Sequence, residues 1–233
     1  MNTMKLRHVA RLINSNVDKI IDPDETPVRL CNYVHVYRND RIVADMDLDP
    51  GSANADEIER FGLRRDDVII TKDSEDRADI AVPAYVPKDM PGVVCGYHLA
   101  ILRPDAKRVR GDFLAWALRS RNLQDAAMLG ALGVTRFGLS QGAIKSMDIP
   151  CPTLDDQRAI AAFLDAETAR VDALVSNKAR LGAMLDERWS AAVSEALLSA
   201  ERDLSPTRPR LSVLTEAACD GPFGSSLKAT LHT

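Results

Sequence analysis

Cysteine and histidine are scarce in this chain, and neither is spaced for chemistry. The four cysteines, Cys31, Cys95, Cys151 and Cys219, form no C-x-x-C pair, which argues against a zinc site and a disulfide framework. The four histidines, His8, His35, His98 and His232, show no metal-ligand spacing. No Gly-Lys dipeptide occurs, so no phosphate-binding loop of the G-x-x-x-x-G-K-[ST] type exists, and no G-x-G-x-x-G follows a strand. No apolar run approaches the ~20 residues of a membrane span. The opening MNTMKLRHVARL lacks the continuous apolar core of a signal peptide, so a cytoplasmic location is expected.

Only fragments of catalytic motifs remain. Gly138-Leu139-Ser140-Gln141-Gly142 matches the G-x-S-x-G elbow of serine hydrolases. The residues before it are polar, and the only later histidine is His232, so Ser140 reads as the cap of a helix Gln141 to Met147. Pro23-Asp24 and Pro104-Asp105 could open a nuclease motif, but no Glu-x-Lys follows either. No catalytic residues and no metal site are assigned, which points to a binding or adaptor role.

Between Thr153 and Ala200 there is no proline, and Gly182 is the only glycine. Ile160, Leu164, Val171, Leu174, Leu181, Leu185 and Ala192 fall on one heptad seam, with polar Glu167, Lys178 and Arg188 at its remaining positions. Phe163, Val175 and Trp189 widen it. Thr153 caps the start, and Asp155 and Asp156 place negative charge where the helix dipole favours it. The spacing predicts one coiled-coil-forming helix of roughly 70 Å. Two ordinary core helices broken near Gly182 are the alternative, but the seam keeps its phase through that residue.

Net charge is −4 over 233 residues, yet charge is uneven. Asp40 to Asp67 carries nine acids and four bases, whereas Arg103 to Arg121 carries six bases and two acids. A local basic stripe on a mildly acidic protein is compatible with nucleic-acid binding.

The first 150 residues read as a mixed α+β globule. Met4 to Asn14 is a short helix or strand-helix entry, and Pro27 to Tyr37 alternates as one or two strands. Asp49 to Ser52 is a turn, and Ala55 to Phe61 a helix ended by Gly62. Asp67–Thr71, Ile80–Pro83, Gly92–Cys95 and Tyr97–Leu102 are strands, and Asp112 caps a helix. The expected organisation is 1–150 globule, 151–202 long helix, 203–210 linker, and 211–233 a truncated start of a second globule, since Leu211–Leu214 faintly echoes Leu6–Val9.

Four segments occur in order: Asp67–Ser74, Cys95–Leu99, Gly133–Ser140, and Ile149-Pro150-Cys151-Pro152 followed by Gln157–Ile160. Together they resemble the specificity subunit of type I restriction-modification systems. The resemblance covers residues 1–210 as one complete half, with 211–233 like the opening of a second. It departs from the family in having Asp156, where Glu is usual, before Gln157. The family's halves each carry a target recognition domain and a long helix. The resemblance implies double-stranded DNA as ligand, with methyltransferase and restriction subunits as partners, in host defence and DNA methylation. S-adenosylmethionine is then expected on the methyltransferase partner and no cofactor on this chain.

On that reading Lys72, Arg77, Tyr97, His98 and Arg136 are candidate base readers, being on or beside strand ends. Arg103, Lys107, Arg108 and Arg110 are candidates for phosphate contact. Pairing through the long helix could make a homodimer. The alternatives are an assembly protein that does not read DNA, and a hydrolase using Ser140.

Overall fold

The computed structural model describes residues 2–203. In chain order the elements are β1 (Thr3–Lys5), a 3-10 turn (Leu6–His8), β2 (Ala10–Asn14), β3 (Thr26–Cys31), α1 (Tyr33–Arg38), β4 (Asp49–Ala53), α2 (Ala55–Phe61), β5 (Val68–Thr71), β6 (Asp73–Ser74) and a second 3-10 turn (Arg77–Asp79). Then follow β7 (Pro83–Tyr85), β8 (Val93–Cys95), β9 (Leu99–Pro104), α3 (Gly111–Leu118), α4 (Arg121–Gly130), β10 (Phe137–Gly138), α5 (Gln141–Ser146), β11 (Asp148–Pro150) and α6 (Leu154–Asp203). The expected linker 203–210 lies outside the described residues but for its first, and the expected second globule 211–233 lies wholly outside them. None of the described helices is long and apolar enough to cross a membrane.

A four-stranded antiparallel sheet of order β2-β9-β5-β7 is the centre of the globule. Its inner strands are covered on both faces, which explains why Val68-Ile69-Ile70 reads as an unbroken apolar run rather than an alternation. Val68, Ile70, Ala100 and Leu102 face one core, with α3, α4, α5 and the start of α6. Ile69, Leu99 and Ile101 face the other, made with α1, α2 and the three-stranded sheet β4-β3-β8. Phe113, Leu114 and Leu118 of α3 are buried, each contributing about 1.5–3 kcal/mol. A further strand pair, β1 with β11, ties the N-terminal segment to the residues just before α6.

Several local expectations are corrected. Asp49–Ser52 is a strand, not a turn: Pro50 lies opposite Arg29 on edge strand β4, where a missing N–H is tolerated, and Gly51 lets the Leu30 side chain lie against the backbone. After Cys31 the chain leaves the sheet for α1, because Asn32 and His35 form a capping box. Met4–Asn14 is two short strands around a 3-10 turn. Ile80–Val82 is not strand: Ala81 has φ of 60° and its N–H turns back to the Thr71 carbonyl, so β7 begins only at Pro83. Tyr97 and His98 precede β9. The N-cap of α3 is Arg110; Asp112 sits inside the first turn.

The chain divides into two compact units, one ending at Arg170 and the other beginning at Val171. The first turns of α6 belong to the globular unit. Thr153 caps them as expected, its hydroxyl accepting the Asp156 N–H at 3.2 Å. Ile160 packs against the first core and Leu164 is partly buried. Helix α6 is continuous through Gly182. Within the second unit, its residues from Val171 to Ala200 are exposed, including Leu174, Leu181, Leu185 and Ala192.

Candidate nucleic-acid interface

Antiparallel pairing of β5 with β9 puts Thr71 opposite Leu99. The residues just outside that pair, Lys72 and His98, are therefore neighbours, and the Lys72 N–H donates to the His98 carbonyl at 3.2 Å. Past this point β6 pairs with β10, bringing Asp73 opposite Gly138 and Arg136 close by. All five candidate base readers are thus on the segments gathered at one end of the central sheet.

Asp73 joins two of these candidates, His98 and Arg136. Its Oδ1 lies 2.5 Å from His98 Nδ1 and accepts from Arg136 Nε at 2.9 Å. Arg136 Nη2 also approaches the imidazole, 3.4 Å from Nε2. The Tyr97 ring lies against the His98 ring, centroids 3.7 Å apart, and is 39% exposed. Lys72 Nζ donates to the Ser15 carbonyl, and the Arg77 guanidinium covers the Phe137 ring at 4.5 Å. The result is a partly exposed surface of donors, acceptors and ring faces, in which one carboxylate joins His98 and Arg136.

Reasoning from sequence missed Tyr33 and Tyr37, because α1 was expected as strand. Their rings stack at 5.7 Å, and the Tyr33 hydroxyl donates to Asp79 at 3.1 Å. Burial, with Asp79 adding to it, pushes the Tyr33 phenol up from its ordinary value. Tyr33, Ser74, Asp79 and Arg136 line an open cavity of about 460 Å³ beside the cluster.

The stripe offered for phosphate contact lies elsewhere. His98 to Arg103 spans five residues of extended chain, roughly 16 Å, so Arg103 is at the far end of the sheet. There it forks onto Asp67, with Nε and Nη2 both 2.8 Å from the carboxylate, and Asp67 is fully buried. Arg110 grips Asp112 the same way, at 3.0 and 2.6 Å. Arg108 lies 3.4 Å from Asp105. Of the four, only Lys107 makes no ion pair among the described residues. Two of these bases are thus fastened into the fold, and the local excess of positive charge does not amount to a free basic face.

Ser140 caps α5, its hydroxyl accepting the Ala143 N–H at 3.1 Å, as expected. Among the described residues no group of three or more His, Cys, Asp or Glu side chains is placed to hold a metal ion.

A family model, that of the type I restriction modification DNA specificity domain, matches residues 52–179, more than half of the chain. No curated protein matches. Among solved structures, a chain from a study of complex assembly and conformational transition in the type I R-M system aligns with a TM-score of 0.62 at 19% identity, covering 84% of this chain and 45% of that one. The HsdS subunit of Thermoanaerobacter tengcongensis aligns with a TM-score of 0.51 at 17% identity, covering 74% of this chain and 38% of that one. At such identities the likeness is one of fold, and the chain spans less than half the length of either.

Proposed function

Because the chain belongs to the type I restriction modification DNA specificity family, we propose that its globular unit selects a duplex DNA sequence on behalf of partner subunits. The observation that carries this reading is the pairing of His98 and Arg136 on Asp73, with the Tyr97 ring against His98 and Lys72 next to Asp73 in the chain. Arginine and lysine suit guanine edges in the major groove, and exposed rings suit thymine methyls. Such readers must be held in one geometry to discriminate, and the Asp73 carboxylate does this for His98 and Arg136.

In this proposal the chain performs no chemistry. A methyltransferase partner brings S-adenosylmethionine, and a restriction partner cleaves. Helix α6 is the spacer: its exposed seam pairs antiparallel with a second copy and sets the distance between two half-sites, so that the bound site is an interrupted palindrome.

Selection from random duplex DNA, with the methyltransferase partner present, tests the reading. The expected result is enrichment of one bipartite motif. A pool that stays random through successive rounds would remove the DNA-reading role and leave α6 as an assembly arm.

A further inference from the structure

Edge strand β2 borders a cleft that shares only Arg103 with the basic stripe. Its volume is about 410 Å³, and four arginines line it: Arg11 from β2, Arg60 from α2, Arg64 just beyond α2, and Arg103 from β9. Only Arg103 is neutralised, by Asp67. Among the described residues Arg11, Arg60 and Arg64 make no ion pair; Arg60 lies over the Phe61 ring at 5.0 Å, and Arg64 donates to the Glu59 carbonyl at 3.0 Å. The only acid in the lining is Glu59. Three free guanidinium groups against one carboxylate leave the cleft a net charge of +2.

An edge strand needs some charge to keep other strands away, but one arginine on β2 would serve that purpose. Here arginines from three further places in the sequence converge on the same space, although like charges repel. Asn14 lines the cleft too, and its buried Oδ1 has no hydrogen-bond partner. The cleft also leads toward the base-reading cluster: Asn14 is followed by Ser15, whose carbonyl takes the Lys72 ammonium, and Gln141 of the lining is two residues past Leu139, whose N–H donates to the Lys72 carbonyl.

We propose that this cleft grips the phosphate backbone of the DNA strand whose bases meet Lys72, His98 and Arg136, with Arg11, Arg60 and Arg64 as the phosphate contacts. The inference rests on the DNA-reading function above and adds where the backbone lies. Phosphate contacts fix register without carrying sequence information. Arginine suits them through its planar fork of donors.

The test is a salt series of binding by the full chain to its selected duplex and to shuffled duplexes. Arg11→Gln, Arg60→Gln and Arg64→Gln are compared singly and combined, with Arg103 left in place because it pairs with buried Asp67. All three side chains are exposed, and circular dichroism with a thermal melt checks each fold. Each substitution should weaken binding to every sequence alike and flatten the log–log salt slope by about 1. Lysine at the same three positions should restore most of the slope. Parental affinity and slope in the triple variant would overturn the cleft while leaving the DNA-reading function intact. So would a changed order of sequence preference at an unchanged slope. A parent chain with no sequence preference would remove both proposals.

Discussion

Gln157 and Arg110 are joined across 47 residues of sequence: the Gln157 Oε1 accepts the Arg110 backbone N–H at 2.9 Å. Arg110 is the N-cap of α3, where backbone N–H groups lack intrahelical partners. The other end of the same amide donates to the carbonyls of Arg108 at 2.9 Å and Pro152 at 3.0 Å. Gln157 is fully buried. One side chain in the first turn of α6 therefore satisfies three backbone groups, two of them in the loop before α3.

Gln157→Leu keeps the volume and leaves all three groups unpaired. At about 1–3 kcal/mol per buried unsatisfied group, partly relieved by relaxation, the expected loss is about 2–4 kcal/mol. Gln157→Glu keeps the acceptor but sets a carboxylate against two carbonyls, so it should not rescue. Urea unfolding at unchanged m-value measures both. A loss below ~0.5 kcal/mol would show that water replaces the amide.

Asp73 positions Arg136 and His98. Arg136→Ala should remove about 1–3 kcal/mol of discrimination at one or two base pairs and change the salt slope little, the reverse of the pattern expected in the arginine cleft. Asp73→Asn should relax the same base positions, since a neutral amide holds the guanidinium less firmly. Competition binding against single-base variants of the selected site gives the answer. Uniform weakening at all positions would mark the cluster as structural.

Burial pushes the Cys31 thiol up from 9.0 to about 12 and the Cys95 thiol well above its ordinary value. Both should resist thiol reagents in the native chain at pH 8. The folded state holds these protons and the unfolded chain releases them, so stability is unaffected by Cys31 below pH 9.0 and falls as pH rises toward about 12. The slope should reach about 1.4 kcal/mol per pH unit for each thiol. Cys31→Ala should flatten the decline in urea melts taken between pH 9 and 11, after allowance for its own destabilisation.

The legible parts of the sequence were those where local chemistry and burial agree. Helix α6 announced itself because Thr153, Asp155 and a heptad seam all favour the same element. Strand β5 did so because it is covered on both faces. Helix α1 was lost because Tyr33, Val34 and Val36 also fit a strand pattern, and the deciding signal was the Asn32/His35 capping box. The strand-end positions of the candidate base readers are legible in the sequence, but Asp73, which joins His98 and Arg136, acquires its partners only through the β6–β10 pairing. Charge counting along the chain failed for the stripe because Asp67, which neutralises Arg103, is 36 residues away. It missed the cleft for the same reason: its arginines come from separate elements and meet only in the fold.

The exposed seam of α6 gives the last prediction. Ile160 already packs on the globule, so the free seam is Val171, Leu174, Leu181 and Leu185, each 54–56% exposed. At about 1.5 kcal/mol per large side chain, two helices covering each other gain on the order of 12 kcal/mol before side-chain ordering is subtracted. Association costs about 4–15 kcal/mol, so the seam alone is marginal, and the flanking Val175, Met184 and Trp189 must contribute. In the proposed dimer the polar seam positions favour one direction. A parallel in-register pair sets Glu167, Lys178 and Arg188 each against its own copy, like against like. An antiparallel pair with Leu174 level with Leu181 of the second copy sets Glu167 level with Arg188 and relieves the repulsion. Leu174→Asp with Leu181→Asp should therefore yield a monomer that keeps the globule's melting transition and loses bipartite DNA recognition. Glu167→Arg should weaken the dimer, and adding Arg188→Glu should restore it. Sedimentation equilibrium reads all three, and a parent chain that remains monomeric at high micromolar concentration would rule out self-pairing.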